Sequence, residues 1–386
     1  MLTAVRSTIP IAKPELGEEE AAAAREAILS GWVTQGPRVA AFEEAFGHSV
    51  GAAQACAVSN CTTALHLALH VLGVGQGDEV VTVSHSFIAT ANAVRYCGAT
   101  PVFVDIDPLT FNIDPAKIEA AITPRTKAIM PVHQMGMPCD MAAILAIARM
   151  HGLPVVEDAA CAIGSEIRHD EKWERIGRPH GTIACFSFHP RKIVTTGDGG
   201  MLTTSDPALD AKFRLLRQHA MSVPDTMRHA AKSVIFEEYP EIGFNYRMTD
   251  IQAAVGTVQL RRLPGILSRR VELAERYRQA LGEIPGLISP HVPSHARPNY
   301  QSYPVRVTAD FPLTRNDLMN RLLVRKISTR RGIMNAHQEA AYAKAGPYDL
   351  PASEAARDEV VLLPLYHSMT DEDQGYVIEC LRECAS

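Results

Sequence analysis

No apolar stretch in this sequence is long enough to cross a bilayer as a helix, which argues against a membrane span. The opening Met1-Leu-Thr-Ala-Val-Arg6 lacks the basic-then-apolar pattern of a secretory signal. Charge of one sign is scarce too. The 38 Lys and Arg are set against 43 Asp and Glu, a net of −5, so no basic face for nucleic acid or an anionic membrane is implied. Eight cysteines are present but no Cys-x-x-Cys pair, and most stand among apolar neighbours. That pattern predicts reduced thiols in a cytoplasmic protein, not a disulfide framework. Cys380 and Cys384 share one helix face, but two ligands do not make a metal site, and no metal is expected. Internal repeats and low-complexity segments are also missing.

What is present is an ordinary globular composition, 46% hydrophobic and 21% charged, in 386 residues. That length predicts two domains, and one large α/β domain with an appendage also fits. Residues 18–29 and 38–46 read as helices. From residue 55 onward, short apolar runs alternate with helical stretches. The run 55–58 leads through Ser59-Asn-Cys-Thr62-Thr63 into a helix from Ala64. The runs 79–83, 101–104, 128–132 and 154–157 follow, the second strand opening into Ser84-His-Ser-Phe87, the fourth into His133 and the last ending at Asp158. Such alternation implies an α/β fold with a mostly parallel sheet between helices. Right-handed crossovers place the strands' C-terminal ends on one edge, where ligands of such sheets bind. Thr62, Thr63, Phe87, His133 and Asp158 should therefore converge. Residues 220–239 show little periodicity and read as a long loop. Helices are expected at 251–262 and 267–281. After Pro285-Gly286 strict alternation stops, which suggests a smaller α+β domain. The division expected is 1–264 and 265–386.

One stretch stands apart: Cys185-Phe-Ser187-Phe-His189-Pro-Arg191-Lys192, continued to Gly197-Asp-Gly-Gly200. A buried strand runs into a glycine-rich turn with a lysine between them. An ammonium is costly to bury unless paired or used. Desolvation would lower its proton affinity and leave a nucleophilic amine suited to imine formation. A surface lysine beside a hairpin fits the stretch alone equally well. The other crevice residues add an anion cradle at a helix start (Thr62, Thr63, with Ser187), an aromatic face (Phe87) and a carboxylate (Asp158). Pyridoxal 5′-phosphate (PLP) requires this set: an amine for its aldehyde, a phosphate site, a stacking face and a carboxylate for its pyridine nitrogen.

Several motifs in order strengthen the case: Gly31-Trp-Val-Thr-Gln-Gly-Pro37, Ser59-Asn-Cys-Thr-Thr-Ala-Leu-His66, Phe87-Ile-Ala-Thr-Ala-Asn92, Pro101-Val-Phe-Val-Asp-Ile-Asp107, Glu157-Asp-Ala-Ala160, Phe186-Ser-Phe-His-Pro-Arg-Lys192 and Asn245-Tyr-Arg-Met-Thr-Asp-Ile-Gln-Ala-Ala254. With these the chain resembles the sugar aminotransferases of the DegT/DnrJ/EryC1/StrS family, a branch of the fold type I PLP-dependent transferases. The resemblance implies a large domain with a seven-stranded-type sheet. It implies Lys192 as the cofactor lysine and proton shuttle, Asp158 as partner of the pyridine nitrogen and Phe87 as the stacking ring. Thr62, Thr63 and Ser187 become phosphate ligands. Asn245 would be a phosphate ligand supplied by the neighbouring subunit, hence a homodimer with shared active sites. Cofactor forms would be PLP and its pyridoxamine counterpart, the donor glutamate or glutamine, and the acceptor a keto sugar on a nucleotide diphosphate.

Cys161 departs from the family, which usually has Gln or His beside the cofactor ring; cofactor affinity is the quantity it would alter. For substrate contacts the candidates are Trp32, His133, His189, Arg191, Arg330, Arg331 and His337, each of which reads as well as a surface or packing residue. Two other functions stay open: a sugar dehydratase of the same family, whose branch replaces the lysine by histidine, and a non-catalytic regulator.

Overall fold

A computed structural model describes residues 7–223, 227–228, 231, 233–343 and 346–385. Part of the loop expected over 220–239 lies outside them.

Among the described residues nine strands precede the long central helix: β1 Gln54–Val58, β2 Glu79–Val83, β3 Thr100–Val104, β4 Thr126–Ile129, β5 Val156–Asp158, β6 Glu166–His169, β7 Lys172–Arg175, β8 Ile183–Ser187 and β9 Gly200–Thr204. The helices among them are α1 Glu18–Leu29, α2 Pro37–Val50, α3 Cys61–Val71, α4 Ala89–Tyr96, α5 Pro115–Ala121, α6 Met141–His151 and α7 Pro207–Leu216. β2, with sequence Glu-Val-Val-Thr-Val, is buried throughout, as a strand covered on both faces should be. β3, β2 and β4 pair in parallel, and β5 pairs in parallel with β8. The two groups join where Ile129 N–H donates to Pro154 O (3.0 Å) and Asp158 N–H to Pro131 O (2.9 Å). β9 runs antiparallel to β8 and to β1. The result is one sheet of order β3-β2-β4-β5-β8-β9-β1, parallel except for β9. The C-terminal ends of six strands and the start of β9 share one edge.

The helix expected to break near residue 265 does not break. α8 spans Asp250–Leu281 as one 32-residue helix with Pro264 inside it. Its N-terminus carries a capping box between Thr249 and Gln252. A mid-helix proline costs about 3 kcal/mol. Burial on both sides outweighs this: Leu260, Leu263 and Ile266 pack in the first core, and Leu273, Ala274, Tyr277 and Leu281 in a second.

That second core lies under an antiparallel sheet of order β10-β12-β14-β13, with β10 Leu287–Ile288, β12 Tyr303–Val307, β13 Arg330–Arg331 and β14 Val360–Leu363. β11, Ala296–Arg297, instead extends the β6–β7 hairpin. α9 Arg315–Val324, α10 Pro351–Glu359 and α11 Asp371–Ala385 complete the fold. The hairpin, α10 and β14 were not legible as elements in the sequence. Among the described residues no helix is long and apolar enough to cross a membrane.

Candidate functional site

The shared sheet edge brings Lys192, Asp158 and the start of α3 together. After β8 the chain loops back to β9 through a closed turn. Phe188 N–H donates to Gly199 O (2.8 Å), and Phe188 O accepts from Thr196 N–H (3.0 Å) and Thr195 Oγ1 (2.9 Å). The Phe188 ring anchors this turn edge-on against Phe42 and Phe46. Lys192 leaves the turn half-buried, its N–H donating to His189 O (2.8 Å). Its Nζ donates to Cys161 Sγ at 3.0 Å. Burial opposes the ammonium, but Cys161, Cys61 and Asp158 around it outweigh burial, so its pKa moves upward. The depressed lysine expected from desolvation alone is thereby corrected.

Asp158, at the end of β5, is 4% exposed. Oδ2 accepts from Thr90 Oγ1 (2.7 Å) and Oδ1 from Ala160 N–H (3.2 Å). Burial raises its pKa; Thr90, Ala160 and Lys192 offset part of that rise. Among the described residues no Lys or Arg forms an ion pair with it. A buried carboxylate held by a hydroxyl and an amide, and short of a cation, suits a protonated ring nitrogen.

Thr62 and Thr63 stand in the first turn of α3, so the helix starts slightly earlier than Ala64. The N-cap is Asn60, whose side chain accepts from Thr63 N–H (2.9 Å). Thr63 Oγ1 in turn accepts from Asn60 N–H (3.3 Å) and donates to Asn60 O (2.7 Å). Its hydroxyl is spent on the cap. The Thr62 hydroxyl and the Cys61 and Thr62 N–H groups lie at the N-terminal end of the helix, the end whose unpaired amides suit an anion. Gly200 lets β9 approach this end: a Cβ there would lie 2.5 Å from the Asn60 carbonyl carbon and 2.8 Å from Cys61 N. Ser187, half-buried, accepts weakly from His189 N–H (3.4 Å). Phe87 is 64% exposed on the turn before Thr90. An amine, a carboxylate, a helix start and an open aromatic face on one edge fit the donor set PLP requires.

Other expected residues are placed differently. His133 is buried with both ring nitrogens engaged: Nδ1 accepts from Cys139 N–H (3.0 Å), so Nε2–H donates to Glu157 Oε2 (3.0 Å). It braces β5 from within and does not face a substrate. His337 is buried between Ser84 Oγ (2.6 Å) and Glu354 Oε1 (3.2 Å), again as an internal link. Trp32 donates Nε1–H to Gln35 O (3.1 Å) and covers Gly36. His189 is half-buried, its Nδ1 accepting from Arg191 N–H (3.2 Å); burial, then Arg191, lowers its pKa. Arg191, Arg330 and Arg331 are exposed, Arg331 facing Glu339 at 3.8 Å. Asn245 is exposed on a segment whose Tyr246 O accepts from Ser59 N–H (2.8 Å). Sequence reasoning missed Thr90, Asn299 and Gln301. Thr90 had a visible signal, a hydroxyl three residues after Phe87 on the same turn.

Comparison with known proteins agrees with this geometry. The DegT/DnrJ/EryC1/StrS aminotransferase family pattern matches residues 14–382. GDP-perosamine synthase of Caulobacter vibrioides is 42% identical over 378 residues, 97% of each chain. The aminotransferase TlmJ of Streptoalloteichus hindustanus superposes with a TM-score of 0.89 at 38% identity, covering 97% of this chain and 98% of its own. Spr1654 of Streptococcus pneumoniae, solved in its PLP form, superposes with a TM-score of 0.89 at 26% identity over 98% of both chains.

Proposed function

The chain belongs to the DegT/DnrJ/EryC1/StrS aminotransferase family and is a sugar aminotransferase, and on that premise we propose how its residues do this work. Lys192 carries the cofactor, PLP. Glutamate or glutamine gives up the amino group, and a keto sugar linked to a nucleotide diphosphate receives it. The observation that carries the reading is the presence at one sheet edge of a lysine amine and, unpaired with it, a buried carboxylate, Asp158, beside the start of α3.

When bound, PLP supplies an aldehyde that stores the amino group between half-reactions and a ring that withdraws electrons from the reacting carbon. The chain's own residues do the rest. Asp158 would hold the ring nitrogen in its protonated form, and the hydrogen bond from Thr90 holds that carboxylate in place. Thr62, Ser187 and the α3 N-terminus bind the phosphate, with Thr63 setting the cap. Phe87 covers the ring. With PLP bound, the Lys192 amine would be the general base and acid that carries the proton in the transfer. Cys161 touches the amine at 3.0 Å and would lie beside PLP held there.

Two chains complete the site in this reading. It is supported by the exposed Asn245 and by the exposed apolar side chains of Val234, Phe236 and Ile242 on the segment leading to it. The nucleotide-linked acceptor is supported by the relative that makes a GDP-linked sugar.

The test is a panel of nucleotide-linked keto sugars with PLP and glutamate, read by 2-oxoglutarate release and by mass of the sugar product. Stoichiometric 2-oxoglutarate and amino sugar are expected from at least one member. Amination of free keto sugars only would overturn the nucleotide-linked reading.

A further inference from the structure

The chain entering β12 crosses beneath the crevice and grips it at two places. Gln301 is buried and spends both ends of its amide on the peptides flanking Lys192. Nε2–H donates to Arg191 O at 2.6 Å, and Oε1 accepts from Ile193 N–H at 3.1 Å. A flipped amide would oppose like to like at both contacts, so one orientation is enforced. Two residues earlier, buried Asn299 donates both Nδ2 hydrogens, to Cys161 O and Ile163 O at 2.8 Å each. Its Oδ1 accepts from Gln301 N–H at 2.8 Å, which ties the two grips together.

Several features hold this strap rigid. Arg270 of α8 donates Nε and Nη2 to Tyr300 O (2.9 and 2.7 Å) and Nη2 to Gln301 O (2.8 Å) and Leu365 O (3.2 Å). It is buried with carbonyls alone as hydrogen-bond partners among the described residues, and burial pulls its pKa down to about 9. Tyr300 has φ +51°, a conformation that non-glycine residues adopt only where the surroundings enforce it. From below, Ser165 Oγ accepts from Asn299 N–H (3.1 Å) and donates to Gly136 O (2.7 Å). Gly136 has φ +91°, and a Cβ on it would lie 1.9 Å from Asn299 Oδ1, so the loop after His133 is shaped to admit the strap.

We propose that Asn299 and Gln301 are positioning residues for the reaction: they lock the main chain of Lys192 against that of Cys161 and so set where the Lys192 amine stands. The proposal rests on the reading of Lys192 as the cofactor lysine. The lysine side chain is long and flexible, so its reach is defined only as well as the peptide that carries it. Arg191 is exposed, and of the peptides beside Lys192 the turn's own bonds hold only the Lys192 N–H, on His189 O; the Arg191 carbonyl and the Ile193 N–H are held from outside the turn. Gln301 supplies that restraint, from a part of the chain built on the second core.

The test compares wild type, Gln301→Leu, which keeps the volume and loses both bonds, and Gln301→Glu, which keeps the acceptor for Ile193 and loses the donor to Arg191. Three quantities are read on folded protein: the rate at which cofactor-free protein captures PLP, followed by absorbance; hydrogen exchange of the 189–195 peptide; and kcat and KM for glutamate. In Gln301→Leu, capture and kcat should fall by about ten- to a hundredfold, with KM unchanged and exchange faster. Gln301→Glu should fall between, and it carries the test if the leucine variant does not fold. A lowered melting temperature with capture and kcat unchanged in the variant that folds would overturn the proposal. Lys192→Ala run alongside separates the two ideas. If it still captures PLP covalently, the reading of Lys192 fails; if it does not, and the Gln301 variants capture normally, only the positioning role fails.

Discussion

The amine of Lys192 meets the sulfur of Cys161 at 3.0 Å, while the carboxylate of Asp158 is held separately by Thr90. The two charged groups of the crevice are thus kept from neutralising each other in a direct ion pair. Each stays available for a different part of one ligand.

Cys161→Ala removes the partner that helps hold the Lys192 pKa up, and burial, which lowers it, then acts with less opposition. The neutral amine becomes available at lower pH. The pH profile of PLP capture by cofactor-free protein should move to the acid side. An unchanged or alkaline-shifted profile would count against the role given to this thiol.

Thr90→Val deletes the hydroxyl that donates to Asp158 and leaves the buried carboxylate with a single amide donor. Hydrogen bonds to charged groups contribute about 1.5–3 kcal/mol. Stability at neutral pH should fall by about that amount, and kcat on the order of tenfold or more. Asp158→Asn should cost more, on the order of a hundredfold, with PLP still captured.

Gly200→Ala forces a methyl into the Asn60–Cys61 peptide at 2.5–2.8 Å. Either β9 or the start of α3 must move. Overpacking of this kind costs about 1–3 kcal/mol. Calorimetry should give a lower melting temperature, and PLP affinity should drop because the anion-binding end of α3 shifts. A variant matching wild type in both would refute the close approach.

His85 is buried, and burial lowers its pKa to about 4 against an ordinary 6.5. The unfolded chain therefore binds the proton first. Stability from the neutral ring is fully present above about pH 6.5 and declines as pH falls toward 4, by up to about 3 kcal/mol. Denaturant melts across that window should report the slope. His85→Gln should be less stable at neutral pH, having disturbed the contact with Asn335, yet show a shallower acid decline.

Much of this could be read from sequence because burial writes itself in residue type. β2 and β8 are apolar runs, and the residues ending them are polar, so the sheet edge and Asp158 stood out. Residue type does not say which way a side chain turns. His133 follows a strand as Asp158 ends one, but it faces the interior. Thr63 caps a helix with the hydroxyl a phosphate would also accept. Pro264 carries a breaker's signal that two cores override. The strap was invisible for a different reason: Asn299 and Gln301 lie in a non-periodic segment, and their partners are more than a hundred residues away. The positive φ of Tyr300 is imposed by tertiary contacts and has no local signature.

The central claim is that Lys192 is the residue that holds the cofactor. The direct measurement is borohydride reduction of the PLP-loaded protein, followed by digestion and mass mapping. The cofactor's mass is expected on the peptide containing Lys192, with no such adduct on any lysine in Lys192→Ala. A stable adduct on another lysine, or undiminished sugar amination by Lys192→Ala, would contradict it.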